Sequence, residues 1–119
     1  MSPERAKAFV VEDDKHWQDI IRESLEDEGH QLILLATNLN EALAAIDRFA
    51  ELGVQVAIID GNLSEDDKTG SDGQKVLSVI RKVAPQVKTI GHSSHSVCGV
   101  DVDLGKENSV NLGETVTEL

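Results

Sequence analysis

The feature that most constrains the fold is an alternation of short apolar runs with segments of helical spacing. Five runs of small or branched apolar residues lead into polar turns, at 6–11, 32–36, 54–60, 87–91 and, more weakly, 100–104. Between these runs, apolar side chains recur every three or four positions, which is the helical period. Strands that alternate with helices predict a parallel sheet wrapped by helices.

Residues that begin and end helices accompany this pattern. Asp14 can cap a first helix, and Gly29 can end it. Asn38, with Glu41 three residues later, resembles a capping box. The second predicted helix ends at Gly53 and places on one face the residues Leu39, Ala42, Leu43, Ile46 and Ala50.

Two further helices are predicted closer to the C-terminus. Asp72 can cap a helix that carries Val76 and Ile80 and that ends before Pro85. The tail over 110–119 favours a short helix, although Gly113 interrupts it.

Length and charge narrow the class of protein. The chain has 119 residues, which we interpret as one domain over 1–119, and it carries 22 acidic and 11 basic side chains. The formal net charge of -11 repels phosphate backbones and anionic lipids, so we expect no direct nucleic acid and no membrane partner. Cys98 is the single cysteine, and no apolar run approaches the roughly 20 residues that span a bilayer. We therefore expect a cytoplasmic protein.

Carboxylates stand at the ends of two predicted strands. Glu12 and Asp13 follow the first strand, and Asp60 ends the third. Ligands of open parallel sheets gather at the carboxyl ends of the strands, so these acids are expected to converge. Carboxylates brought this close together repel one another unless a cation binds between them, and Mg²⁺ prefers oxygen ligands. Taken singly, each acid is a solvated loop charge or, for Asp14, a helix cap.

Two other polar residues are expected at the same edge. Ser93 follows the fourth strand and Lys106 follows the fifth. A hydroxyl and an ammonium group both suit a bound phosphoryl group. The set predicts a magnesium site for phosphate chemistry. The four histidines, His16, His30, His92 and His95, lack the spacing of a zinc or phosphodonor site and are expected at the surface or behind the site.

Five motifs in this order resemble the receiver domain of response regulators over nearly all of 8–106. They are VVEDD, AIIDGN, SDGQKVLSVIRK, IGHSS and DLGKE. The resemblance implies a flavodoxin-like, doubly wound, five-stranded parallel sheet of order 2-1-3-4-5. The implied site consists of the phosphoacceptor Asp60, the Mg²⁺ ligands Glu12, Asp13, Asp60 and Asn62 (through its backbone carbonyl), and the phosphoryl-contacting residues Ser93 and Lys106.

The resemblance also implies a function in two-component signalling. The phosphodonor would be a histidine kinase or a phosphotransfer protein, and the output would be an interaction with a downstream protein or a homodimer. Such a domain is not an enzyme beyond its own Mg²⁺-dependent phosphorylation and dephosphorylation. Whether the chain is a stand-alone relay or part of a larger regulator stays open.

The sequence departs from the family pattern at several points. Ser64 replaces a common proline, and the acidic segment EDDKTGS lengthens the loop that follows it. Asp103 stands where the family often has an aromatic switch residue, so we expect phosphorylation to be coupled to the surface differently. Glu107 follows Lys106 in place of a proline, which favours a trans peptide bond.

A shortened connection precedes the fifth strand. Only the six residues 94–99 link strands four and five, whereas a crossover that contains a helix needs about 10 to 12. We therefore expect the fourth helix of the family to be missing or much shortened.

Two alternatives belong to other functional classes. A pseudo-receiver would keep the fold as a constitutive interaction module without phosphorylation. A phosphatase-like hydrolase with Asp60 as nucleophile is disfavoured because Asn62 stands where such enzymes commonly place a second acid.

Overall fold

The predicted strands form one parallel sheet. A computed structural model describes residues 6–59, 71–91, 101–103 and 116. The elements are, in chain order, β1 (Lys7–Val11), α1 (Lys15–Asp27), β2 (Gln31–Ala36), α2 (Leu39–Ile46), α3 (Phe49–Leu52), β3 (Val56–Ile59), α4 (Ser71–Val83), β4 (Lys88–Gly91) and β5 (Val102–Asp103). The sheet order is β2-β1-β3-β4-β5, and every pairing is parallel. The predicted strand order is confirmed. The link 94–99, where we expect the fourth helix to be missing or much shortened, lies outside the described residues.

The sheet is buried on both faces, as expected for a parallel sheet. Alternate residues of β1 enter two different apolar clusters, with Phe9 and Val11 in one and Ala8 and Val10 in the other. The second cluster also contains Val116, which is helical and buried. This agrees at that position with the helix predicted over 110–119.

The first helix begins and ends where local chemistry predicts. The Asp14 carboxylate accepts a hydrogen bond from the backbone N–H of His16 at 2.8 Å. Gly29 has φ 82°, a left-handed conformation that glycine adopts without a Cβ penalty. Ile21 and Leu25 are the apolar side chains that α1 buries in the core.

The second predicted helix is broken in the structure. The N–H of Arg48 bonds to the carbonyl of Ala45 at 2.9 Å, a tightened i to i−3 bond that separates α2 from α3. After this turn Phe49 is buried and Ala50 is exposed, so the prediction of Ala50 on the buried face was wrong. The Phe49 ring packs edge-on against Phe9 with centroids 4.9 Å apart. Because a phenyl ring buries more apolar surface than an alanine methyl group, Phe49 rather than Ala50 faces the core.

The start of α2 has a variant of the predicted capping box. Asn38 Oδ1 accepts from the Glu41 N–H at 2.9 Å. Glu41 Oε1 accepts from the backbone N–H and the hydroxyl of Thr37, at 2.8 and 2.7 Å. These two bonds, the backbone bond first, hold the pKa of Glu41 below its usual value because they favour the carboxylate.

Two other predictions were wrong. Helix α4 begins at Ser71, so Asp72 lies within its first turn rather than at the capping position before it. His30 is buried, with 3% of its surface exposed, and lies beside the starts of β1 and β2, at the opposite end of these strands from Glu12. It is therefore neither at the surface nor behind the site. Its Nδ1 accepts a hydrogen bond from the Ala6 N–H at 3.0 Å, and this bond offsets the cost of removing the ring nitrogen from water.

A polar network joins α4, β4 and the residue before β5. Asp101 accepts hydrogen bonds from the N–H of Thr89 at 2.8 Å and from its hydroxyl at 3.2 Å, and the Asp101 N–H donates to that hydroxyl at 3.0 Å. Arg81 completes the network with an ion pair to Asp101 at 3.3 Å. The network anchors the short β5 to the sheet through side chains.

The same network sets a dependence of stability on pH. Partial burial raises the pKa of Asp101, but the hydrogen bonds from the Thr89 amide, Arg81 and the Thr89 hydroxyl, together with the Arg81 charge, outweigh it and lower the pKa. A carboxyl whose pKa is lower in the folded state contributes stability above its usual value of 3.8, and this contribution is lost as pH falls through the folded pKa.

We therefore predict that Asp101→Asn lowers stability at neutral pH by about 1 kcal/mol, and that the gap to the parent narrows in acid. Urea unfolding over a pH series measures both. Asp47→Asn, an exposed change of the same type, should behave as the parent. A gap that stays constant down to acid pH would contradict the ionic role of Asp101.

No helix in the described ranges is long and apolar enough to cross a membrane.

Candidate functional site

Glu12 directly follows β1 and is fully buried. Its backbone N–H donates to the carbonyl of Ala36 at 3.0 Å, which extends the pairing of β1 with β2 by one residue. Its Oε2 accepts from the Asp14 N–H at 3.2 Å. The carboxylate is thus held at the edge of the sheet where the first strand ends.

Gln18 is a positioning residue that the sequence analysis missed. Its side-chain amide donates to the Glu12 carbonyl at 2.8 Å and so ties the first turns of α1 to the end of β1. A glutamine six positions after the acid gave the only signal in the sequence. Six residues is too large a separation for a helix-capping rule to detect, because the chain turns between them.

The register of β1 and β3 brings two predicted site positions together. Val11 pairs with Ile59, so Glu12 and Asp60 each follow directly after paired residues in the sequence. Strands β1 and β3 flank the point where the order of connections reverses, which is where ligands of such sheets bind. The last described residue before Asp60 therefore lies beside the strand end that carries Glu12.

The other half of the sheet ends at the same edge. Gly91 pairs with Asp103 in the parallel β4–β5 pair. In the sequence Ser93 follows two residues after Gly91, and Lys106 follows three residues after Asp103. Asp60, Asn62, Ser93 and Lys106, together with the acidic loop of Glu65 to Asp67, lie outside the described residues.

The predicted Mg²⁺ ligands that the structure describes are Glu12 and Asp13. Asp13 is exposed, next to the buried Glu12. Within the described ranges, no three histidine, cysteine or acidic side chains form a group that could hold a metal ion.

The donor chemistry nevertheless fits Mg²⁺. The acids at this edge offer only oxygen ligands, and Mg²⁺ is typically bound by one or two carboxylates while keeping several waters. An exposed Asp13 leaves room for such waters. Burial of the Glu12 carboxylate costs desolvation energy that a bound cation would offset.

Comparison with solved structures supports the architecture described above, whereas comparison by sequence gives no match. No family model matches the sequence, and no curated protein matches it. Among solved structures, a CheY-like response regulator receiver domain protein from Methanospirillum hungatei superposes with a TM-score of 0.76 at 24% identity, covering 97% of this chain and 93% of that one. The chain has the fold of a receiver domain.

Two more solved structures also superpose on 97% of this chain. A response regulator from Thermotoga maritima gives a TM-score of 0.76 at 18% identity, with 97% of both chains covered. The signal receiver domain of a LuxO-like repressor from Vibrio parahaemolyticus gives 0.72 at 21% identity, covering 97% of this chain and 89% of that one. The receiver fold is thus preserved here although little sequence is shared.

Proposed function

We propose that this chain is a two-component receiver that accepts a phosphoryl group on Asp60 and signals through contacts with other proteins. The observation that carries the proposal is the pairing of Val11 with Ile59, since it joins the strand ends followed by Glu12 and Asp60 at the switch point of a receiver fold. The phosphodonor would be a histidine kinase or a phosphotransfer protein, and the domain would act in the cytoplasm.

The proposed chemistry transfers a phosphoryl group from the imidazole nitrogen of a phosphohistidine donor to a carboxylate oxygen of Asp60. A carboxylate oxygen of Asp60 attacks the phosphorus of the donor, the bond from phosphorus to the leaving group breaks, and the leaving group departs with the electron pair. Glu12, Asp13, Asp60 and the Asn62 carbonyl would hold Mg²⁺, which when bound neutralises charge on the phosphoryl oxygens. Lys106 would pair with the transferred group and Ser93 would contact it, while water hydrolysis of the acyl phosphate would end the signal.

Intact-mass measurement tests the proposal directly. The folded chain is incubated with Mg²⁺ and acetyl phosphate, and a second sample receives the donor with a chelator. We expect the mass of one phosphoryl group to be added only when Mg²⁺ is present. A folded chain that binds Mg²⁺ but never gains this mass would support the alternative, a pseudo-receiver that acts as a constitutive interaction module.

We predict that Asp13→Ala abolishes Mg²⁺ binding. The change removes a ligand oxygen and one of the negative charges that attract the ion. Titration calorimetry measures the affinity, and circular dichroism shows that the exposed substitution leaves the fold intact. Asp47→Ala is the control, because Asp47 is also exposed but lies at the far end of α2. Unchanged affinity in the Asp13 variant would remove this residue from the site.

A further inference from the structure

A groove runs along the edge of the sheet between β2 and α2. Strand β2 is the outermost strand and, within the described residues, pairs only with β1. The groove has a volume of about 340 Å³ and is lined by Leu34, Leu35, Glu41, Ala44, Ala45 and Arg48. Both leucines are only partly buried, so this edge exposes apolar surface.

On the helical side of the groove, two small side chains lie between an acidic and a basic one. Glu41, Ala44 and Ala45 lie on one face of α2, and Arg48, in the turn between α2 and α3, lines the same groove. The two alanines stand in the middle, with an acid one turn before them and a base one turn after them. Small central side chains allow another backbone to come close, and the charges mark the two ends.

This face is complementary to itself. If two copies meet with their α2 helices antiparallel about a two-fold axis, the start of α2 in one copy faces the turn after α2 in the other, so Glu41 comes opposite Arg48. Residue 44 of one copy then faces residue 45 of the other. Each Glu41 then meets an Arg48, and the alanine pairs meet in the centre. Closed two-fold dimers need such a self-complementary patch.

We infer that this groove binds the same groove of a second copy of the chain, through antiparallel packing of the two α2 helices and two Glu41–Arg48 ion pairs. The leucines of β2 extend the contact along the sheet edge. The inference does not depend on phosphorylation of Asp60.

The local charges of the groove favour a second copy of the chain, although the net charge opposes self-association. The whole chain has a net charge of -11, so two copies repel over most orientations. The groove carries one charge of each sign, and Glu41 stays ionised through its hydrogen bonds to Thr37. The antiparallel orientation opposes this general repulsion, because it places opposite charges together at both ends of the groove.

Sedimentation equilibrium of the full chain over a concentration series tests the inference. We expect a monomer–dimer equilibrium that Arg48→Glu weakens by at least about tenfold, because two attractive pairs become repulsive. Arg22→Glu is the matched control. Arg22 is comparably exposed, at 46% against 56% for Arg48, and each arginine has an i, i+3 acidic neighbour in its own helix.

Mixing two charge variants tests the geometry. Arg48→Glu carries two acids in the groove and Glu41→Arg carries two bases, so each alone should be monomeric while a mixture should associate. Glu41→Arg also loses its bonds to Thr37, so its fold is checked by circular dichroism. Ala44→Gln, an exposed change that fills the centre of the groove, gives an independent arm and should weaken the dimer, whereas Ala50→Gln should not.

Several outcomes would overturn the inference. These are a parent chain that stays monomeric at all concentrations, equal weakening by Arg22→Glu and Arg48→Glu, or a dimer that Ala44→Gln leaves unchanged. Failure of a folded Glu41→Arg variant to associate with Arg48→Glu would exclude the antiparallel arrangement.

Discussion

Asp60→Asn should abolish the mass gain that Mg²⁺ and acetyl phosphate produce in the parent chain. An amide oxygen is too weak a nucleophile to displace the acetate from phosphorus, although the amide has nearly the same size as the carboxylate. Among the described acids of the proposed site, Glu12 is buried and already bonded to the Asp14 N–H, and Asp13 is proposed to hold Mg²⁺ rather than to attack phosphorus. The effect is therefore expected to be complete rather than partial.

Two measurements make this result specific. Asp47→Asn, the same substitution at an exposed position outside the proposed site, should gain the phosphoryl mass at the parental rate. Hydroxylamine should remove the added mass from the parent, since it attacks the carbonyl of an acyl phosphate and leaves phosphate esters intact. A full mass gain in Asp60→Asn would show that another side chain is the acceptor and would end the receiver proposal in its present form.

Phe9→Ala should lower the free energy of unfolding by about 3 to 5 kcal/mol. The ring is fully buried in the interior strand β1 and packs edge-on against Phe49. Its removal leaves a cavity between the sheet and the helices that cover it, and the paired β1 backbone limits collapse into that space. Because single domains are stable by only about 5 to 15 kcal/mol, the loss is a large fraction of the total.

Urea unfolding followed by circular dichroism measures this change. Val83→Ala is a suitable control because Val83 is 55% exposed near the end of α4, and it should change stability by less than about 0.5 kcal/mol. Phe49→Ala and the double variant then test the ring contact. Strict additivity of the two changes would show that the rings do not interact energetically, against the geometry observed here.

Local sequence determined the elements whose signals lie within one turn of the chain. Asp14 caps α1 and Asn38 caps α2 because each side chain bonds to an N–H two or three residues ahead. The apolar run of β1 predicted a strand buried on both faces, and it also located the acid at its end. Glu12 could thus be assigned to the edge of the sheet from the sequence, since an abrupt change from apolar to acidic residues marks a strand end.

Contacts between distant parts of the chain decided which side chains are buried or hydrogen-bonded at several positions. Phe49 rather than Ala50 faces the core because Phe9, forty positions earlier, offers a ring to pack against. His30 is buried because the Ala6 N–H supplies a partner, and Asp101 anchors β5 because Thr89 and Arg81 lie beside it. No local pattern records these partners.

The alternation of apolar runs and helical periods was enough to predict a parallel α/β sheet. A continuous apolar run indicates a strand buried on both faces, and a helical period indicates a helix buried on one face. The sequence also placed acids at the ends of the first and third strands. Only the tertiary structure decided that Val11 pairs with Ile59, which side chains hold Glu12, and that α2 and β2 leave a groove at the sheet edge. These depend on register and packing between segments far apart in the chain, and such contacts form only when the whole sheet assembles.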